Sequence, residues 1–320
     1  MTLIPKTLFN RNGMSESTLN FPVVSFGEIL WNIQSSGDIT GSAPMNVAYH
    51  LRNLGIHPTL ITRVGLDAHG KRLIELLESL DVSTEFFQLD NELPTGKVNI
   101  IPNGNDDSSH EIQKPAAWDH ISWDNGFENL MQGSRFFVFG SLAVRSVISS
   151  STLFRLLEIA PFKVFDINLH PPHFTRKSIE DILRKTDLLK LNISELEFIT
   201  GWFTRYYSEA DRMQILQDKF QIQNIVVTKG SRGSVLNSNG TMYEHPGFAV
   251  EVADTTGSGD AFLAGMLFKI SQSVPIEESI VFAHALAALV ATKPGGCPAY
   301  TVEEIEVILS NNNNVSLPSH

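Results

Sequence analysis

The chain has 320 residues, 42% of them hydrophobic and 18% charged, so it can bury a large core and is expected to be globular rather than disordered. Its formal net charge of −11 and its lack of Lys- or Arg-rich runs argue against nucleic-acid binding, which leaves small molecules or a second copy of the chain as expected partners. No apolar run reaches the roughly 18 residues of a membrane span, and the single cysteine, Cys297, cannot form an internal disulfide, so we expect a cytoplasmic protein.

Both ends of the chain are polar, turn-rich and aperiodic. Residues 1–20 hold no apolar run long enough for a secretory signal, and residues 310–320 begin with "SNNNN". These features predict a mobile N-terminal extension at 1–20 and a mobile tail at 310–320, with one folded domain at 21–309 between them.

From Phe21 onward, β-branched or aromatic runs alternate with amphipathic stretches. The pattern predicts a strand in "FPVVSFGEI", a helix over Ala43–Asn53, a strand in "PTLITRVG" and a helix over Gly70–Leu80. Near-continuous apolar runs follow in "RFFVFGS", "FKVFDIN", "DLLKLN" and "NIVVTKG", with helical patterns behind them that include Ser149–Ile159, Lys177–Leu183 and Ser194–Thr200. Such runs are typical of strands covered on both faces. The predicted fold is therefore α/β, a doubly wound and mostly parallel sheet with helices on both faces.

Two segments interrupt this alternation. Leu30–Thr40 and Thr95–Gln113 have the pattern of hairpins without a crossover helix, and the second turns at Pro102–Ser108. They could form one small sheet outside the core, which would suit a lid that excludes water from a pocket. The alternative is two surface hairpins without a role.

The stretch "DTTGSGDAF" at 254–262 runs into an apolar pattern that predicts a helix beginning near Gly257. The first amides of such a helix lack intrahelical partners and favour an anion, and the glycines let a ligand approach closely. Asp260 either stabilises the helix dipole or, with a phosphoryl group in the anion hole, takes the proton from an incoming hydroxyl. Neighbouring Thr and Ser hydroxyls already supply capping oxygens, which favours the second interpretation.

This stretch and "GSAPMNVAYHLRNLG" at 41–55 resemble the two signature regions of the ribokinase-like, or PfkB, family of carbohydrate kinases. The resemblance runs in matching order from Phe21 to Leu309, and within the family it is closest to fructokinases, on the strings "GEILWN", "GSAPMNVAYH", "AAWDHI", "FGSLAVRS" and "FDINLHPP". It implies that Asp260 is the catalytic base, that the amides of Gly257, Ser258 and Gly259 hold the transferring phosphoryl group, and that ATP and Mg²⁺ are the cofactors.

The resemblance also implies a metal site in "LNISELE", where Asn192 and Glu195 would organise Mg²⁺ through water. The same spacing is that of a helix cap, which the residues alone favour, whereas the resemblance favours the metal. The implied nucleotide site is formed by Thr228, Gly230, Gly233, His284 and Gly295. Without the resemblance, "TKGSRG" is more typical of a hairpin turn and His284 of a core histidine.

A K⁺ site beside the anion hole is a further implication of the resemblance. Its ligands would come from the side chains of Asp254 and Thr256 and the carbonyls of Ala291, Pro294 and Gly296. Cys297 in the same loop is interpreted as a small hydrophobic residue.

The implied sugar site is formed by Asn32, Gly41, Ser42, Asn46 and His170, since short amides and bare backbone satisfy many hydroxyls compactly. Three of these positions depart from the family pattern: Asn32 replaces an aspartate, Ser42 a glycine and His170 an arginine. The departures bear on the choice of sugar more than on the type of reaction. Lys97 is interpreted as a solvated strand residue, and Trp118 either stacks on a sugar or packs in the core.

The sequence therefore predicts an ATP-dependent sugar kinase acting on fructose, with a homodimer formed through the lid edges. Kinases for ribose, 2-keto-3-deoxygluconate or a nucleoside are the alternatives within the class. A silent sugar or nucleotide sensor is the alternative outside it. A dinucleotide-dependent oxidoreductase is disfavoured, because "FGEILWN" has no GxGxxG.

Overall fold

A computed structural model describes residues 21–33, 39–102, 108–205 and 208–311. The predicted mobile extension at 1–20, most of the predicted tail and the turns of the two predicted hairpins lie outside the described residues. The tail was predicted to begin at Ser310, but the last helix continues through Asn311. Within the described ranges, no helix combines the length and the apolar character that crossing a membrane requires.

A nine-stranded sheet forms the centre of the molecule, in the order β13-β12-β11-β10-β9-β8-β1-β4-β5. Its strands are β1 Phe21–Phe26, β4 Thr59–Gly65, β5 Phe87–Asp90, β8 Ser134–Gly140, β9 Lys163–Asp166, β10 Leu188–Asn192, β11 Asn224–Thr228, β12 Ser234–Ser238 and β13 Thr241–His245. Seven of them pair in parallel, and β12 and β13 add antiparallel strands at one edge. The mostly parallel sheet is confirmed.

The helices are α1 Ala43–Asn53, α2 Ala68–Ser79, α3 Gly126–Gln132, α4 Val147–Ile159, α5 Arg176–Leu183, α6 Ile193–Thr200, α7 Glu209–Phe220, α8 Ser258–Ser271, α9 Ile276–Ala291 and α10 Val302–Asn311. Two of them begin two residues before the predicted start. Asp67 accepts a hydrogen bond from Gly70 N at 2.8 Å, and Ser146 accepts one from Ser149 N at 3.3 Å. These N-caps set the first turns of α2 and α4.

Helices cover both faces of the sheet because successive strand residues point to opposite sides. Val23 of β1 and Phe136 of β8 are paired in register and pack in the cluster that contains residues of α1, α8 and α9. The next pair, Val24 and Phe137, packs on the opposite face, in the cluster that contains residues of α3 to α7. The predicted doubly wound arrangement is confirmed.

A separate four-stranded sheet, which we call the lid sheet, has the order β3-β2-β6-β7. Its strands are β2 Leu30–Ile33, β3 Ile39–Thr40, β6 Gly96–Pro102 and β7 Ser108–Ile112. The two predicted segments do form one sheet, joined by parallel pairing of β2 with β6. Trp31 attaches it to α2: its Nε1 donates to the His69 carbonyl at 3.1 Å, and the Arg72 guanidinium lies 4.4 Å from the centre of its ring.

Three of the segments that carry predicted site residues begin at the carboxyl edge of the main sheet. Asp166 ends β9, Asn192 ends β10 and Thr228 ends β11. Ligands of doubly wound folds bind beyond this edge, where the loops converge.

Candidate active site

The start of α8 is built around a glycine in left-handed backbone. Gly257 is the N-cap residue with φ +73°, and a Cβ there would lie 2.5 Å from the Cα of Gly296. Ser258 N donates to the Thr255 carbonyl at 3.2 Å, so this amide already has a partner, unlike the expectation that it joins the anion hole. Among the described residues, no backbone carbonyl accepts from the amides of Gly257, Gly259 or Asp260. Three neighbouring N–H groups are thus available to an anion at the positive end of a helix.

Asp260 lies in the first turn of α8 and is held from α1. Asn46 Nδ2 donates to Asp260 Oδ2 at 2.7 Å, and the Cys297 thiol donates to Asn46 Oδ1 at 3.1 Å. The thiol fixes the orientation of the amide, so the NH₂ group must face the carboxylate. Cys297 is therefore more than the small hydrophobic residue that the sequence predicted, because it orients a neighbour of Asp260.

The electrostatic surroundings of Asp260 suit a general base. Burial raises its pKa to about 7, with the Lys190 ammonium opposing the rise and the Asp166 carboxylate adding to it. Such a carboxyl changes its charge near neutral pH, where a base is most effective.

Three buried polar atoms in the segments that form this site have no hydrogen-bond partner among the described residues. Ser42 is the N-cap residue of α1, yet its hydroxyl makes no capping bond and is buried without a partner among the described residues. The Ser258 hydroxyl and one Glu28 carboxylate oxygen are in the same state. Buried polar groups are normally hydrogen-bonded, so these atoms indicate a place where a polar ligand completes the network.

Two of the predicted sugar residues, Asn32 and Gly41, lie close together where the lid sheet meets α1. A Cβ on Gly41 would lie 3.4 Å from Asn32 Nδ2, so a larger residue at position 41 would crowd this amide. Asn32 is half-buried on β2, and Asn46 is buried on α1. His170 follows β9 in the loop where His173 N donates to its carbonyl at 2.8 Å.

Asn192 and Glu195 form the capping box of α6. Asn192 Oδ1 accepts from Glu195 N at 2.9 Å, and Glu195 Oε2 accepts from Asn192 N at 2.8 Å. Glu195 Oε1 accepts from Leu169 N at 2.8 Å, which ties α6 to the loop after β9. The cap that the residues alone favoured is thus present. Each carboxylate oxygen keeps a second lone pair, so a Mg²⁺ ion held through water also fits this carboxylate.

The glycines of the predicted nucleotide loop differ in what they require. Gly230, at φ +59°, is exposed and has no atom within 4 Å of a Cβ position. Gly233 is buried, and a Cβ there would lie 1.8 Å from the His245 carbonyl oxygen. Packing against the end of β13 therefore explains why position 233 is a glycine. Gly230 faces open space, and Thr228 is half-buried at the end of β11.

His284 belongs to the core, as the alternative interpretation held. Its side chain is buried on α9, with Nε2 2.7 Å from the Ser234 hydroxyl and its ring stacked on that of His245. Burial, reinforced by the proximity of His245, lowers its pKa to about 3, so it is neutral at physiological pH. This placement gives no support to the predicted contact with adenine.

The predicted K⁺ ligands form a tightly bonded corner. Asp254 Oδ1 accepts from Thr256 N and its hydroxyl at 2.9 and 2.7 Å, and Asp254 Oδ2 accepts from Gly295 N at 2.9 Å. The Ala291 carbonyl accepts from two amides, those of Ala253 and Asp254. Both of its lone pairs are engaged, so Ala291 is a poor cation ligand here, contrary to the expectation. Among the described residues, no cluster of three or more His, Cys, Asp or Glu side chains is placed to hold a metal.

Trp118 packs in the core rather than facing a sugar. It is fully buried, and the Arg145 guanidinium lies 3.5 Å from the centre of its ring. Lys97 on β6 is half-buried. Sequence reasoning did not single out Lys190, Asp166 or Glu28, whose charges all act on the Asp260 site.

Crystal structures of two fructokinases share this fold. A crystal structure of fructokinase with bound ATP from Xylella fastidiosa has a TM-score of 0.81 at 22% identity and covers 91% of this chain and 99% of its own. A Vibrio cholerae O395 fructokinase, in a fructose-, ADP- and calcium-bound form, has a TM-score of 0.76 at 23% identity and covers 90% of this chain and 99% of its own. The fold class is the ribokinase-like α/β fold.

The sequence comparisons identify the family. The family model described as "pfkB family carbohydrate kinase" matches residues 18–302. A curated relative from Arabidopsis thaliana, "Probable fructokinase-2", is 28% identical over 306 residues and covers 87% of this chain and 92% of its own. The chain belongs to the PfkB family of carbohydrate kinases, and it is a sugar kinase.

Proposed function

We propose that the protein transfers the γ-phosphoryl group of ATP to a hydroxyl of D-fructose. The observation that carries this proposal is the carboxylate of Asp260, which lies in the first turn of α8 and is oriented by Asn46. It follows the amides of Gly257 and Gly259, which have no backbone acceptor among the described residues. An anion hole and a base within one helical turn are what phosphoryl transfer to an alcohol requires.

In the proposed reaction, the amides of Gly257 and Gly259 hold the transferring phosphoryl group, with the helix dipole favouring its negative charge. Asp260 accepts the proton of the attacking hydroxyl, and Asn46 keeps the carboxylate aimed at it. Mg²⁺, held through water by Glu195 and Asn192, would offset the charge of the nucleotide phosphates. Positioning contributes most of the acceleration, because phosphoryl transfer needs little covalent help from the protein.

Fructose is proposed on the names of the relatives and on the composition of the sugar side. The Vibrio cholerae neighbour is a fructose-bound form, and the curated relative carries the name fructokinase. Asn32, Ser42 and Asn46 would bind the hydroxyls, and the unpartnered Ser42 hydroxyl supports this assignment. His170, in place of an arginine, removes a fixed charge near this pocket and bears on which sugar is preferred.

The nucleotide is proposed to lie over the ends of β10 and β11. Thr228 and Gly230 would border its ribose and phosphates, and the glycine loop around Gly295 would wall its base. The corner at Asp254 and Thr256, with the Pro294 and Gly296 carbonyls, stays a predicted K⁺ site, and a homodimer through the edge strands β3 and β7 stays a prediction.

The test measures ADP release from ATP and Mg²⁺ with a panel of sugars and nucleosides. We expect one sugar, fructose, to be turned over far faster than the rest, and Asp260→Asn to lower kcat by at least about 10³-fold while leaving the protein folded. Asp211→Asn is the matched control, because Asp211 occupies the same third position of α7 and serves there as a helix-start acid.

If both variants lost only stability, Asp260 would be a cap and not a base. Turnover of ribose or a nucleoside in place of fructose would overturn the substrate. No turnover with any acceptor, together with a ligand-induced rise in Tm, would favour a sugar or nucleotide sensor.

A further inference from the structure

Lys190 and Asp166 form a buried ion pair beside the candidate active site. They face each other in register on β10 and β9, and Lys190 Nζ lies 2.9 and 2.7 Å from the two carboxylate oxygens of Asp166. The side chains are 9% and 4% exposed. A buried pair of this kind has a large desolvation penalty and is poor evidence for stability, so its position calls for another explanation.

The ammonium lies beside the first turn of α8. A Cβ on Gly259 would lie 3.2 Å from Lys190 Nζ, so the lysine reaches the second residue of α8. Asp166 takes up two donors of the ammonium and fixes its place. A Cβ at position 259 would crowd the ammonium, so glycine leaves room for it beside the first turn of α8.

Acidic groups from three elements surround this ammonium. Asp166 lies on β9, Asp260 on α8 and Glu195 on α6, and Glu28, after β1, carries its own charge toward Asp166 and Asp260. Burial alone would lower the pKa of Lys190, but these carboxylates, Asp166 foremost, hold it above its usual value. Both hydrogen bonds of Lys190 Nζ go to the Asp166 carboxylate, as expected of a charged ammonium held by its counter-charge.

We propose that Lys190, clamped by Asp166, is a positioning residue for phosphoryl transfer, which sets the field in which the Asp260 base and the incoming γ-phosphoryl group lie. This inference rests on the proposed function and deepens it. The ammonium favours the ionised form of Asp260 against the effect of burial, and it attracts the phosphate charge without occupying the hole. Asp166 holds the cation back, so that it does not form a closed ion pair with the base.

The proposal makes two predictions of opposite sign for the acidic limb of the pH profile of kcat/KM, which reports ionisation of the base. Lys190→Met removes the cation and leaves Asp166 facing Asp260, so the limb should move up by about one unit or more. Asp166→Asn leaves the cation without its counter-charge, so the limb should move down. In addition, Lys190→Met should lower kcat by about 10²-fold.

The double variant Lys190→Met/Asp166→Asn separates a role in catalysis from a role in folding. It removes both charges of the Lys190–Asp166 pair together, so its Tm should recover toward wild type while kcat remains about 10²-fold low. Lys163→Met and Asp187→Asn are matched controls, because Lys163 and Asp187 form a Lys–Asp pair at 3.1 Å at the amino end of the same two strands. The acidic limbs of the pH profiles of these two variants should coincide with that of the wild type.

A double variant with wild-type kcat and pH profile would overturn the inference. The inference would also be overturned if the acidic limb of the pH profile moved in the same direction for Lys190→Met and Asp166→Asn. A second measurement does not depend on turnover. In the wild type and in each Lys190 or Asp166 variant, Tm is measured against pH with Asp260 present and with Asp260→Asn. The pH dependence of the Tm difference reports the pKa of Asp260 in that protein. If no sugar is phosphorylated but this pKa still moves as stated, the proposed function fails and the coupling of Lys190 to Asp260 stands.

Discussion

At Gly257, backbone conformation and packing both require glycine. Its φ of +73° is in the left-handed region, and a Cβ would lie 2.5 Å from the Gly296 backbone. We expect Gly257→Ala to push α8 away from the glycine loop and to lower kcat by about 10²-fold or more, because the anion-hole amides lose their alignment.

Gly55 gives a matched control for this substitution. It has φ +87° and no atom within 4 Å of a Cβ position, so Gly55→Ala brings the backbone strain, about 1 kcal/mol, without a collision. Denaturant unfolding and steady-state kinetics on both variants check the prediction. Equal activity in the two variants would show that the contact with Gly296 is irrelevant to the site.

The functions of single residues were predictable from the sequence where the residue lies in a recognisable motif. Asp260 and Asn46 were predicted, and the structure brings them to 2.7 Å. Lys190 was not, because it stands inside "LLKLN", an apolar run that indicated only a buried strand. A charged residue within such a run needs a partner. Asp166 is a charged residue of opposite sign within the apolar run "VFDIN", and this was the signal from which the pair with Lys190 could have been predicted.

Among the elements, one buried arginine forms a second connection between the lid sheet and the core, besides the one through Trp31. Arg145 donates from Nε and Nη2 to both oxygens of Asp119, at 2.6 and 2.8 Å, and from Nη2 to the Gln113 carbonyl just after β7. Its guanidinium lies over the ring of Trp118. The base of the lid sheet, a buried acid and the residues after β8 are thus held by one side chain.

Arg145→Met should cost about 3–5 kcal/mol of unfolding free energy, because Asp119 remains buried without its partner. Arg155 is the control: it also lies 3.5 Å from the centre of a tryptophan ring, that of Trp123, and is paired with Glu128 at 3.5 Å, but the pair is exposed. Arg155→Met should therefore cost less than about 1 kcal/mol. Urea unfolding of both variants measures the two losses of unfolding free energy. Comparable losses would contradict the proposed importance of the buried Arg145–Asp119 pair.

Element boundaries followed from local signals, whereas the lid sheet did not. Asp67 and Ser146 are ordinary N-cap residues, so the true starts of α2 and α4 were readable from the sequence. The parallel pairing of β2 with β6 joins segments far apart in sequence, and no local pattern encodes it. The hairpin pattern indicated the strands but left their common sheet as one of two alternatives.

At the scale of the whole molecule, the candidate active site joins the two ends of the fold. His50 on α1 bonds the Gly296 carbonyl through Nε2 at 3.0 Å and the Tyr300 hydroxyl through Nδ1 at 3.1 Å, across about 250 residues of sequence. The site is therefore assembled only when the first and last thirds of the chain are packed together. Ionisable groups are buried at this junction, and their burial makes the stability of the whole protein depend on pH.

Two kinds of buried group oppose each other in the acid range. Burial raises the pKa of Glu28 and of Asp260 to about 7, so between pH 4 and 7 the folded state keeps protons that the unfolded state has lost, and these groups reduce stability as the pH rises. Burial lowers the pKa of His50 to about 4 and of His284 to about 3, so below about pH 6.5 the unfolded state takes up protons first, and these groups reduce stability as the pH falls.

We therefore expect Glu28→Gln/Asp260→Asn to be more stable than the wild type at pH 8, with the difference shrinking as the pH falls from 7 and vanishing near pH 4, where both carboxyls are protonated in either state. The histidines then act unopposed, so the stability of this variant should rise more steeply with pH than that of the wild type. Urea unfolding at pH 4.5, 6 and 8 measures the difference, with the exposed Glu306→Gln as a control for the change in net charge. A difference that is constant over this range would mean that the two carboxyls titrate alike in the folded and unfolded chains, and the site would then lack the tuned base on which the proposed chemistry depends.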